Sequence, residues 1–97
     1  MYSKENTSLA ATCDFQMADI CGLWKSPCGS PPIKIFRHKK GYKITVCYFG
    51  RHDFTVPVFR AWGRTFFNLY GMSYINFDSG RDVLTLDYEG YYTRAED

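Results

Sequence analysis

The sequence predicts a mainly β fold: an antiparallel meander of about seven or eight strands curled into a small barrel, with a short N-terminal helix before it. Three observations predict it. Aromatic residues make up 19% of the chain, with eight Tyr, eight Phe and two Trp, while Ala and Leu are scarce; rings and β-branched side chains pack well on a pleated surface. From Gly22 onward the apolar residues recur with a period of two, in short segments set off by Gly, Pro and Asp. A chain of 97 residues holds one domain and one core. An open sheet of so many strands would leave unpaired edges, so closure is expected.

The elements follow in order. Residues 1–12 are small and polar without a period and read as a flexible arm, leaving 13–97 as the single barrel domain. In "CDFQMADICGLW", Phe15, Ala18 and Cys21, or Met17, Ile20 and Cys21, fall at helical spacing. Asp14 is placed to cap and Gly22 to end about two turns of helix. "GLWKS" is the first strand, and Pro27, Gly29, Pro31 and Pro32 then exclude any helix. "IKIFRH" sets Ile33 and Ile35 against Lys34 and Phe36; "YKITVCYF" sets Tyr42, Ile44, Val46 and Tyr48 against Lys43, Thr45, Cys47 and Phe49, with "KKG" as the hairpin turn between them. In "HDFTVPVF", Phe54, Val56 and Val58 share a face, and Pro57, which cannot donate to a ladder, argues for an edge or a bulge. "AWGR" turns the chain, and "TFFNLY", "MSYINF", "VLTLDY" and "GYYTR" complete the meander. The predicted core is Trp24, Ile33, Ile35, Ile44, Val46, Val56, Val58, Phe67, Leu69, Ile75, Leu84 and Leu86.

Charge is nearly balanced, at +2 from 12 basic and 10 acidic residues spread along the chain, which implies no strong field. The N-terminal segment lacks the basic start and apolar stretch of a secretory signal, and no run approaches the roughly 20 apolar residues of a membrane span. A soluble, cytoplasmic chain without a membrane partner is the expectation, with Cys13, Cys21, Cys28 and Cys47 kept as thiols.

Taken as a set, Gly22-Leu23-Trp24-Lys25-Ser26, Pro32-Ile33 to Phe36, Tyr42-Lys43-Ile44-Thr45-Val46, Asp82-Val83-Leu84-Thr85 and Gly90-Tyr91-Tyr92-Thr93-Arg94 resemble a family of short proteins of unknown function. Conjugative elements of Bacteroides-like gut bacteria carry that family, and the likeness covers about residues 20 to 95. It implies a lipocalin-like or other small β-barrel and an origin on mobile DNA, and brings no established activity. Cys21, Cys28 and Cys47 are not part of the pattern. The Gly-x-Trp start also resembles that of lipocalins, in which such a Trp closes one end of the barrel and stacks on a basic residue near the last strand. That likeness implies Trp24 and Arg94 as a barrel-closing pair, with a cation–π contact of about 0.5 to 2 kcal/mol.

The candidate chemistry is sparse. No cysteine separation has the short spacing of a zinc knuckle, so no metal or cofactor is expected, although a fold can still bring Cys21 and Cys28 together across the first turn. His38 and His52 flank the strand around Tyr42 to Phe49 and can face each other, yet no acid is spaced to orient either one. Asp78, Asp82 and Asp87 fall at turns, where carboxylates serve local backbone hydrogen bonds. Hence no enzyme is expected.

The basic hairpin, with Arg37, Lys39, Lys40 and Lys43 beside rings and with Arg51, His52, Arg60 and Arg64 further on, suits nucleic acid. Lysines at a hairpin tip are, however, the common device for solubilising turns and protecting edges, so nucleic-acid contact ranks as the third reading, behind a protein partner and a small ligand. The aromatic excess offers Tyr42, Tyr48, Phe54, Tyr74 and Tyr92 as a ligand or partner surface. The expectation is a non-enzymatic binding or protein-interaction module, acting on a protein partner or as a homodimer. The alternative is a carrier of a small hydrophobic ligand in the barrel mouth, although short strands and large rings predict little or no cavity.

Overall fold

The computed structural model describes residues 15–48, 52–87 and 89–95. The expected arm over 1–12, Cys13, the cap Asp14, Phe49 and Arg51 lie outside the described residues. One 3-10 turn, Met17–Ile20, precedes eight strands: β1 (Gly22–Lys25), β2 (Ile33–His38), β3 (Gly41–Val46), β4 (Phe54–Ala61), β5 (Arg64–Asn68), β6 (Met72–Asp78), β7 (Val83–Leu86) and β8 (Gly90–Arg94). Each strand pairs antiparallel with the next, and β1 pairs with β8 to close the barrel, with Trp24 opposite Arg94 and Lys25 opposite Thr93.

The expected two-turn helix is a correction: a single turn forms. Its backbone is already extended at Gln16 and again at Cys21. Asp19 ties the turn, accepting from the Gln16 N–H at 3.0 Å. The Ile20 carbonyl, which a continuing helix would give to a backbone N–H, instead accepts the Trp24 indole N–H at 2.9 Å. Seating Trp24 inside the barrel therefore starts β1 at once, and tertiary packing overrides a weak local helix.

Alternation places Ile33 and Ile35, Ile44 and Val46, Phe67, Ile75, and Leu84 and Leu86 on the inner face, all buried with Trp24. Val56 and Leu69, expected in the core, are only partly buried against it. Phe15, Ile20 and Tyr92 complete it. The first two precede the strand pattern but fold beneath the barrel; Tyr92 is tolerated inside because its hydroxyl donates to the Pro31 carbonyl at 2.9 Å.

Pro57 sits opposite Lys43 in β3, while the β4–β5 ladder starts only at Val58. Its missing N–H thus falls on a stretch laddered on one side, a local edge within a closed barrel. The β4–β5 hairpin turns through Trp62 and Gly63, both at positive φ (54° and 71°), as a type I′ turn requires.

Antiparallel order gives the barrel two unlike ends. The 3-10 turn and the β2–β3, β4–β5 and β6–β7 connections gather at one, and the β1–β2, β3–β4, β5–β6 and β7–β8 connections at the other. No helix among the described residues is long and apolar enough to cross a membrane.

Candidate functional site

The first end is sealed. Trp24 is 1% exposed, and the Arg94 guanidinium lies 4.2 Å from its ring centroid. Arg94 is fixed from several sides. Its Nε and Nη2 bond the two carboxylate oxygens of Asp82, each at 2.9 Å, while Nη1 donates to the Cys21 carbonyl at 2.8 Å and Nη2 to that of Asp19 at 2.9 Å. This bidentate tie holds the Asp82 carboxyl below its ordinary value, chiefly through the hydrogen bonds from Arg94. Phe15 fills the same end, edge-on to Phe77 at 5.7 Å and under the Arg60 guanidinium at 4.6 Å.

The opposite end opens as a mouth over a cavity of about 200 Å³. Ile33, Val46, Phe67 and Leu86 form its apolar lining, and Tyr48, Tyr70 and Tyr92 contribute rings. Its polar side comes from Ser73, Asp87 and Glu89. The expectation of little or no cavity is corrected here. Phe54 and Tyr70 stay exposed instead of filling the interior, and the small Gly71 and Ser73 line it. Phe54 meets Tyr48 edge-on at 5.6 Å and Tyr70 at 6.2 Å, an aromatic row along the rim.

Ser73 is only 8% exposed, and its hydroxyl has no hydrogen-bond partner among the described residues. Burial, followed by the charge of Glu89, pushes the Tyr48 and Tyr92 hydroxyls upward, so both remain protonated donors.

The five rings read as one surface are distributed. Tyr48 and Tyr92 line the mouth and Phe54 flanks it. Tyr42 is on the inner face but toward the sealed end, where β3 begins. Tyr74 is on the outer face, between inward Ser73 and Ile75, with Phe66 edge-on at 6.3 Å and the Arg64 guanidinium 3.7 Å from its ring centroid. Alternation and strand direction, which composition does not encode, separate them.

The basic hairpin is likewise divided. Arg37, Lys39 and Lys40 are all exposed, but alternation places Arg37 on the side of the strand that carries Ile33 and Ile35 and Lys43 on the opposite side of the sheet. His38 and His52 are at opposite ends of the barrel, so they do not face each other; the same holds for Cys21 and Cys28, which β1 separates. Among the described residues no three His, Cys, Asp or Glu side chains group to hold a metal ion.

Asp78 serves its turn as expected, accepting from the N–H groups of Gly80 and Arg81. Asp82 binds Arg94 instead. Asp87 accepts from the Tyr74 N–H at 3.1 Å and is among the residues that line the mouth. Sequence reasoning did not single out Tyr70, Ser73 and Glu89 as site residues, for they come from the β5–β6 connection, the start of β6 and the β7–β8 connection and carry no shared motif.

A closed eight-stranded barrel, sealed at one end and hollow at the other, defines this chain as a small calyx. No protein-family model, curated protein or solved structure matches it.

Proposed function

We propose that this chain is a non-enzymatic binding protein that takes a small molecule into the mouth of a lipocalin-like barrel. One observation carries the reading: Trp24 and Arg94 seal one end, while the other opens on a cavity of about 200 Å³ with an apolar floor and polar rim. That volume is below the roughly 300 to 1,000 Å³ of drug-sized pockets, which favours a molecule of about one ring over a lipid. The setting we propose is the cytoplasm, within the mobile-element family that the strands resemble.

The test is titration with indole and benzyl alcohol, followed by amide NMR. Shifts are expected at Tyr48, Gly71 and Ser73, which border the cavity. Ser73→Phe, which fills the mouth, is expected to weaken binding about tenfold or more. Shifts confined to the outer face, or binding indifferent to Ser73→Phe, would sink the reading.

A second reading, a protein-interaction module, draws on the outer face. Trp62 is 89% exposed at a hairpin tip, and Phe59 and Phe66 pair beside it with ring centroids 5.6 Å apart. A concentration-dependent oligomer in light scattering would favour it. Nucleic-acid contact through Arg37, Lys39, Lys40 and Lys43 has no comparable gathered surface behind it.

A further inference from the structure

We infer that the mouth selects an organic cation: a one-ring amine whose ammonium group is held by Asp87 and Glu89, with its ring among Tyr48, Tyr70 and Tyr92. This rests on the mouth being a ligand site. Its charge is the reverse of the chain's, which carries +2 overall. Two acidic residues, Asp87 and Glu89, line the cavity, and no Lys, Arg or His is among its lining residues. Neither carboxylate is ion-paired among the described residues: the contacts of Asp87 are to the Tyr74 backbone, and those of Glu89 are through its own backbone to Ser30 and Leu86.

An unneutralised acidic pair beside an apolar floor favours a cation that brings its own apolar body, because charge attraction strengthens where water is excluded. Aromatic rings at the same rim add to that attraction through their negative faces. Burial and then the Glu89 charge raise both Tyr48 and Tyr92, which places the field of Glu89 across the two hydroxyls. The buried Ser73 hydroxyl, without a partner among the described residues, supplies an acceptor for an ammonium N–H. Tyr70 is held at φ 59°, a disfavoured conformation for a bulky residue, and meets the rim ring Phe54 edge-on. A neutral or anionic ligand would leave the carboxylates uncompensated.

The test uses three probes that differ chiefly in charge: 2-phenylethylamine, 2-phenylethanol and phenylacetate, titrated into the full chain at low salt with amide NMR as the readout. The amine is expected to bind about tenfold tighter than the alcohol, phenylacetate weakest of all, and the advantage of the amine is expected to shrink as salt is raised. In the double variant Asp87→Asn, Glu89→Gln the advantage of the amine over the alcohol is expected to fall to about twofold or less.

Asn at 87 keeps a carbonyl oxygen for the Tyr74 N–H. If the double variant nonetheless loses its native spectrum, Glu89→Gln alone is expected to reduce the amine advantage about threefold. Alcohol or phenylacetate binding as tightly as the amine, or an amine advantage that survives the substitutions, overturns the cation inference and leaves the ligand site standing. Failure of all three probes to shift the mouth amides overturns both.

Discussion

Gly22 shows how a single residue can satisfy two demands. Its φ of 135° is a conformation that side chains rarely adopt, and a Cβ there would stand 3.0 Å from Nη1 of Arg94. Nη1 cannot simply retreat, since it donates to the Cys21 carbonyl one residue away. Gly22→Ala must therefore strain the backbone or displace the guanidinium from Trp24. A loss of about 1 to 3 kcal/mol in denaturant unfolding is expected, against a near-neutral effect for Gly41→Ala, where no positive φ is present and nothing crowds a Cβ. Equal effects at the two glycines would show that the approach of Arg94 does not constrain Gly22. The Gly-x-Trp start was legible as the gateway to the first strand, and the Trp24–Arg94 pairing followed from a family likeness. The third partner, Asp82, was not legible, because at a turn it is indistinguishable from Asp78 until the barrel closes and brings β8 alongside.

At the scale of elements, the β4–β5 hairpin carries an unusual choice. Type I′ turns favour Asn or Gly at the first central position, where this chain has Trp62 at φ 54° with 89% of the residue exposed. A bulky side chain in that region costs about 1 to 2 kcal/mol, and almost no burial offsets it. Trp62→Asn is therefore expected to stabilise the fold by about 0.5 to 1 kcal/mol, read as a higher denaturation midpoint. No gain would mean that Trp62 makes contacts in the folded chain that its exposure conceals. The eight strands were legible because period-two alternation and Gly or Pro punctuation agree along the chain from Gly22. The helix was overestimated because spacing around Ile20 says nothing of the demand that Trp24 be buried at once. The mouth was legible only in part: Tyr48 and Tyr92 were named, but which rings line a void depends on register, and Ser73 and Glu89 look like ordinary strand and turn residues.

The whole molecule depends on its sealed end, since β1 and β8 share only a short ladder, Trp24 opposite Arg94 and Lys25 opposite Thr93. Arg94 reinforces that seam by joining the last strand to the 3-10 turn, to the segment entering β1 and to Asp82 in the turn just before β7. Asp82 has a folded pKa below its ordinary value. Its contribution to stability is thus fully present above the unfolded value of about 3.9 and is lost as pH falls through the lower folded value. Because the Asp82 side chain is 49% exposed and that of Arg94 34%, solvent screens the pair, and its worth is about 1 kcal/mol or less. Asp82→Asn should consequently lower stability at pH 7 by that amount and make the loss between about pH 5 and 2 shallower than in the parent chain. Chemical denaturation at several pH values measures both. Parallel acid profiles for parent and variant would show that the Arg94 tie does not depend on the Asp82 charge. The mouth provides the spatial control: Asp82 is not among its lining residues, so the variant should keep the parent's preference for 2-phenylethylamine over 2-phenylethanol at neutral pH. A preference lost with Asp82 would show that sealing one end of the barrel also sets the shape of the other.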